Sequence, residues 1–152
     1  MNFKKNQKAA LAISHFKKMD QIDLSEFELL EGIFGQGQFG EVKRVKEKKT
    51  GKIYAAKLLF HILEGKENIL SFKREVEICS KINHPSVIQF IGYNLHNFFN
   101  EPKPVIIMEF AQNKTLDKII EFDRQGLSKW DDTKRLINIY GIASAMAFLH
   151  EN

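Results

Sequence analysis

A chain of 152 residues with 43% apolar and 28% charged side chains can bury one proper core but is short for two. Its single cysteine, Cys79, excludes an intrachain disulfide framework and suits a reducing, cytoplasmic setting. The net charge of +4 comes largely from Lys4, Lys5, Lys8, Lys17 and Lys18, with only Phe3 and Phe16 among them, which argues for a solvated leader rather than a nucleic-acid or membrane-binding arm.

Residues 1–22 read as this basic leader, helical or disordered, with Ala9, Ala10, Leu11, Ala12 and Ile13 favouring a helix. That apolar run is too short for a signal-peptide core. The most apolar stretch elsewhere, residues 105–111, contains Glu109 and is strand-length, so no membrane span is expected.

At residues 24–28 the composition shifts. Phe27, Leu29 and Ile33 alternate with Glu28 and Glu31, as a half-buried strand would. Gly35, Gly37 and Gly40 follow in the order G-x-G-x-x-G. Glycine lets backbone N–H groups approach a bulky anion, such as a nucleotide phosphate chain. Val42 and Val45 mark a second strand, residues 47–52 a turn with Gly51 at its end, and residues 53–60 a third strand. The glycines are thus followed by a strand and not by a helix.

Residues 64–68 are polar and turn-like. From Ile69 to Ile82 the apolar residues Ile69, Phe72, Val76, Cys79 and Ile82 share one helical arc. Glu75 falls inside that arc. It either meets a buried cationic or hydrogen-bonding partner, or sits at the rim and bends out to water. Pro85 breaks the helix. Residues 87–93 and 104–110 read as strands joined by a hairpin connection. Residues 116–122 form a short amphipathic helix ending near Gly126. Ser128 and Asp131 have the S-x-x-D form of a helix-start box. The helix from there to His150 is apolar on most faces, through Leu136, Ile137, Ile139, Ile142, Met146, Phe148 and Leu149. Such a helix belongs inside a larger protein, so a partner covering residues 136–149 is expected.

Three kinds of phosphate loop compete for the glycines. A Walker loop needs lysine after its last glycine, but Glu41 stands there and would repel phosphate. A dinucleotide turn needs a helix after the glycines. The third kind joins two antiparallel strands and folds over the phosphates as a flap.

Residues Gly35-Gln36-Gly37-Gln38-Phe39-Gly40-Glu41-Val42 resemble the G-x-G-x-x-G-x-V loop of eukaryotic-type protein kinases. Tyr54-Ala55-Ala56-Lys57 resembles their V-A-I-K strand, and Phe72-Lys73-Arg74-Glu75-Val76 the start of their regulatory helix. His84-Pro85 before a strand, and Ile107-Met108-Glu109-Phe110 before a polar link, are similar to the hinge region. The resemblance runs from about Ile22 onward and is nearest to the tyrosine-kinase-like serine/threonine group.

The resemblance implies an α+β fold. Residues 23–110 would form a small lobe with a five-stranded antiparallel sheet and one regulatory helix, and residues 111–152 the hinge and first two helices of a large lobe. Lys57 would bind the ATP phosphates, paired with Glu75. Gly35, Gln36, Gly37, Gln38, Phe39 and Gly40 would cover the phosphates, and Val42 and Ala55 the adenine. Met108 would be the gatekeeper behind it, and the backbones of Glu109 and Ala111 would bond the base. Thr115 would reach the ribose or cap a helix. Cys79 and Phe90 would belong to a packed spine, with the Cys79 thiol inert.

The family's H-R-D-x-x-x-x-N, D-F-G and A-P-E segments do not occur in these 152 residues. The implied function is therefore the ATP-binding portion of an enzyme that phosphorylates a protein Ser/Thr hydroxyl, with Mg²⁺ required only by the intact enzyme and no transfer by this stretch alone. The alternative is a non-catalytic, pseudokinase-like nucleotide-binding or scaffolding module.

Overall fold

The computed structural model describes residues 21–63, 65–113 and 115–151. The leader over residues 1–22 lies outside them except for its last two residues. Gln21 bridges Tyr93, and the Ile22 N–H donates to the Tyr93 carbonyl at 2.9 Å. The chain divides into two compact units: residues up to Ile82 with Gln89–Phe110, and Asn83–Ile88 with Ala111–Asn152.

The first unit is a sheet carrying one helix. Its strands are β1 (Phe27–Leu29), β2 (Gly35–Gln36), β3 (Gly40–Glu47), β4 (Ile53–Leu59), β5 (Phe90–Asn94) and β6 (Val105–Glu109). They pair antiparallel in the order β1-β3-β4-β6-β5, with β2 also on β3. The expected five-strand path is present, but its first strand is broken in two. The Leu30 N–H donates to the Arg44 carbonyl at 3.0 Å and the Phe34 N–H to that of Val42 at 2.8 Å. Between these two bonds three residues on one side, 31–33, thus face one on the other, so residues 31–33 bulge outward. Gly32 makes this possible with φ +86°, a conformation most side chains resist. Ile33, expected to be strand, is 55% exposed on the bulge.

Alternation along the strands sorts the side chains onto two faces. On one, Val45 lies opposite Tyr54, Ala56 opposite Ile107 and Leu58 opposite Val105. These residues bury with Leu24 and Phe27 as one core. On the other, Val42 lies opposite Lys57 and Ala55 opposite Met108. Val42 and Val45 are three apart and so serve opposite faces.

Helix α1 (Lys66–Lys81) covers the second face. Phe72 and Val76 bury there against Tyr93 and Ile106, and Ile69 is also buried. The helix begins before the expected Ile69, because its first turn is polar and shows no apolar period. Gly65 precedes it with φ +81°. It also stops before Ile82, which is extended and only caps it. The strand expected from Val87 begins at Phe90, since the Val87 N–H turns back to the His84 carbonyl at 3.0 Å.

The β5–β6 connection is the expected hairpin, organised by Asn97. The Asn97 Oδ1 accepts from the N–H groups of Phe99 and Glu101, and its Nδ2 donates to Glu101 Oε2 at 2.8 Å. That bond, with Lys103, holds the Glu101 carboxyl below the usual carboxylate range. Phe98 is thereby set against the first core.

In the second unit, α2 (Leu116–Arg124) ends at Gly126, whose φ is +70°. Thr115 stands at its N-cap position without a side-chain cap bond. Helix α3 (Asp132–Glu151) is capped by Asp131 rather than by Ser128: the Lys134 N–H donates to Asp131 Oδ1 at 2.9 Å. The S-x-x-D reading placed the start three residues early. The same bond keeps the Asp131 carboxyl below its ordinary range, so this cap is complete at neutral pH and fades as the pH falls through the lowered value. None of α3 is buried among the described residues, and Leu136, Ile137 and Ile139 are each more than 60% exposed. His84 stacks on Phe148 with ring centroids 5.1 Å apart, and its Nε2 lies 3.2 Å from Ser144 Oγ. The Ser86 N–H donates to His84 Nδ1, which leaves Nε2–H as the donor to Ser144.

The two faces predict different costs for isoleucine truncation. Ile107→Ala, at a position with no exposed surface, should cost about 2–5 kcal/mol in urea unfolding, whereas Ile33→Ala on the bulge should cost less than about 0.5 kcal/mol.

Candidate functional site

The glycine stretch is a flap made by β2, a tight turn and the start of β3. The Gly37 N–H donates to the Gly40 carbonyl at 2.9 Å, and the Phe60 N–H to that of Phe39 at 3.1 Å. Gln36, Gln38 and Phe39 are exposed, with Phe39 at the tip. The three glycines have different reasons to be glycine. A Cβ on Gly40 would lie 2.3 Å from the Leu58 carbonyl oxygen, where β3 presses against β4. A Cβ on Gly35 would make ordinary contact with Val42, and one on Gly37 would meet nothing within 4 Å. Glu41 is paired with Lys43 at 3.0 Å, on the face turned away from Val42. Its charge is thus met from the side.

The register then assembles the face beneath the flap. Val42, Ala55, Lys57 and Met108 all lie on it, and α1 packs on the same side. Lys57 Nζ reaches Glu75 Oε1 at 2.6 Å. Their side chains remain 30% and 40% exposed, so neither of the two expected extremes for Glu75 is met. It has its cationic partner and also keeps water. A pair this open adds at most about 1 kcal/mol to stability; its effect is to hold an ammonium in one place. Cys79 lies one turn beyond Glu75. Burial, then the Glu75 carboxylate, push its thiol upward against the pull of Lys57, so the reactive thiolate is disfavoured. Phe90 packs with the α1 cluster.

At the other end, Ala55 is buried and Met108 is half-buried against that cluster. Glu109 turns to the opposite face, where its carboxylate accepts from the Gln89 N–H at 3.3 Å. Its own N–H donates to the Gln89 carbonyl at 2.8 Å, so any bond from this residue to a base must come from its carbonyl. Ala111 opens the second unit and is exposed. Thr115 hydrogen-bonds Asp117 and lowers that carboxyl's proton affinity. Phe34 was missed by the sequence reading; its ring meets that of Phe110 with centroids 5.0 Å apart. The available signal was Gly32, a lone glycine in a strand pattern, which marks a bulge that re-aims the residues after it. Among the described residues no group of three His, Cys, Asp or Glu side chains is placed to hold a metal ion.

Chemically, the face offers an ammonium under a flap of exposed backbone, next to an apolar floor. Such a face suits an anion joined to a flat apolar group. Two outcomes follow for substitution. Gly40→Ala should lower stability by about 1–3 kcal/mol, while Gly37→Ala should leave the melting temperature within a few degrees. A double-mutant cycle on Lys57→Met and Glu75→Gln, read by urea unfolding, should return a coupling no larger than about 1 kcal/mol.

The family model described as the protein kinase domain matches residues 29–152. An Aurora kinase of Saccharomyces cerevisiae is 31% identical over 140 residues, covering 88% of this chain and 34% of that protein. Serine/threonine-protein kinase 33 of Mus musculus is 30% identical over 139 residues, covering 91% of this chain and 26% of its own length. The crystal structure of Rad53 1–466 in complex with AMP-PNP is similar with a TM-score of 0.61 and 26% identity, over 83% of this chain and 30% of that one. The chain thus spans a quarter to a third of the length of these curated relatives. A match that starts in β1 and runs to residue 152 makes the chain a member of the protein kinase family.

Proposed function

We propose that this chain is the ATP-binding portion of a protein kinase whose intact form transfers the ATP γ-phosphoryl group to a Ser/Thr hydroxyl of a protein. The observation that carries the reading is the Lys57–Glu75 contact at 2.6 Å, on the sheet face that also carries Val42, Ala55 and Met108. In this reading Glu75 aims Lys57 at the α- and β-phosphates, and the Gly35–Gln38 backbone with Phe39 and Gly40 closes over them. Val42 and Ala55 line the base, with Met108 behind it. The Glu109 carbonyl and the Ala111 backbone provide its polar contacts. Mg²⁺ would enter with the nucleotide in the intact enzyme and neutralise charge on the phosphates.

The Ser/Thr assignment is supported by the serine/threonine kinase among the relatives. A cytoplasmic setting accords with the single cysteine, and no helix among the described residues is long and apolar enough to cross a membrane. These 152 residues hold neither the H-R-D aspartate that handles the substrate hydroxyl nor the D-F-G aspartate for the metal. They should bind nucleotide without transferring its phosphate.

The test is calorimetric titration of the 152-residue chain with Mg·ATP, beside a phosphotransfer assay free of contaminating kinase. Lys57→Ala is expected to weaken ATP binding by about ten- to a hundredfold, the worth of a charge-assisted contact. Equal affinity of the two proteins would remove Lys57 from the site, and phosphorylation of a generic substrate by the chain would overturn its inactivity.

A further inference from the structure

Glu109 closes β6, and the register sets Gln89 opposite it, one place beyond the Phe90↔Met108 pair. Two residues so placed in an antiparallel ladder exchange both of their backbone bonds when the N–H of one points at the other. Half of that exchange is present: the Glu109 N–H donates to the Gln89 carbonyl at 2.8 Å. The other half is diverted. Regular pairing would send the Gln89 N–H to the Glu109 carbonyl, but it donates instead to Oε2 of the Glu109 side chain at 3.3 Å. Glu109 thus offers Gln89 both a donor and an acceptor, and the acceptor is its carboxylate rather than its backbone.

A completed pair would hold the Glu109 carbonyl against β5. With the carboxylate standing in, the Gln89 N–H is satisfied without it, and the ladder makes no claim on that carbonyl from this side. A carboxylate suits the task because it only accepts and has several lone pairs to offer, whereas an apolar or cationic side chain has none. On its other side this end of β6 borders the site: Met108 lies opposite Ala55 and Glu109 opposite Tyr54.

We propose that the Glu109 carboxylate is a specificity-determining group that acts through its own backbone. By taking the Gln89 N–H, it leaves the Glu109 carbonyl to accept from an amino group on the edge of a bound base. A base carrying an amine at that edge is thereby selected over one without it. The side chain is a positioning group and does not itself contact the ligand. The inference rests on the nucleotide reading above.

The experiment titrates the 152-residue chain by calorimetry with Mg·ATP and, separately, with Mg·purine riboside triphosphate, the same nucleotide without its exocyclic amine. The parent should bind ATP about three- to tenfold tighter than the analogue, the worth of one neutral hydrogen bond. In Glu109→Ala the Gln89 N–H returns to the carbonyl; ATP should weaken by that factor and the analogue stay within about twofold. Glu109→Gln keeps a side-chain acceptor for the same N–H and should hold ATP within about twofold of the parent. An NMR scalar coupling across the hydrogen bond, from the Gln89 nitrogen to the Glu109 carbonyl carbon, should be absent in the parent and appear in Glu109→Ala. Melting curves within a few degrees of the parent would show that both variants remain folded.

The proposal is overturned if the parent binds both nucleotides equally, if Glu109→Ala binds ATP like the parent or weakens both nucleotides alike, or if glutamine fails to preserve ATP binding. When ATP binding still depends on Lys57, such a result removes the role of the Glu109 carboxylate alone. If the parent chain binds neither nucleotide, the nucleotide reading falls and this inference falls with it.

Discussion

The antiparallel pairing of β3 with β4 fixes which side chains can act together. Val42 stands opposite Lys57 and Val45 opposite Tyr54. A slip of one residue would turn Lys57 into the cluster of Val45, Leu58 and Ile107, where its ammonium would have no partner. Burying Val45, Leu58 and Ile107 stabilises the register by about 1.5–3 kcal/mol each, whereas the half-exposed ion pair contributes about 1 kcal/mol at most. Apolar packing on one face therefore places the charged chemistry on the other.

The same logic connects the elements around the site. Helix α1 is held through Ile69, Phe72 and Val76, and Glu75 comes with it as a neighbour of Val76. On the opposite face the β5–β6 connection is folded down by one amide, Asn97, which seats Phe98 on the core.

Much of this was legible in the residues. The alternation in residues 53–60, the glycines and the arc containing Glu75 all report backbone geometry through side-chain type, and the family follows from their order. What escaped did so for identifiable reasons. The first turn of α1 is polar, and an apolar period cannot see it. Asp131 and Ser128 are both good cap residues, and only the hydrogen bond from Lys134 distinguishes them. The bulge was read through as continuous strand because Phe27, Leu29 and Ile33 happen to alternate, and this hid Phe34. Ala55 was identified by type, but its burial depends on contacts between distant strands, which no local pattern encodes.

The close approach of Gly40 to the Leu58 carbonyl bears on how much a glycine motif tells a reader. A chain that kept this sheet and lost its ligand would still need glycine there, since the clash is with its own backbone. It would be free to replace Gly37, where a side chain meets open space. Of the three glycines, the last testifies to architecture, whereas no neighbouring atom demands glycine at the middle one. Counting them as equal evidence for nucleotide binding overstates what the last one says.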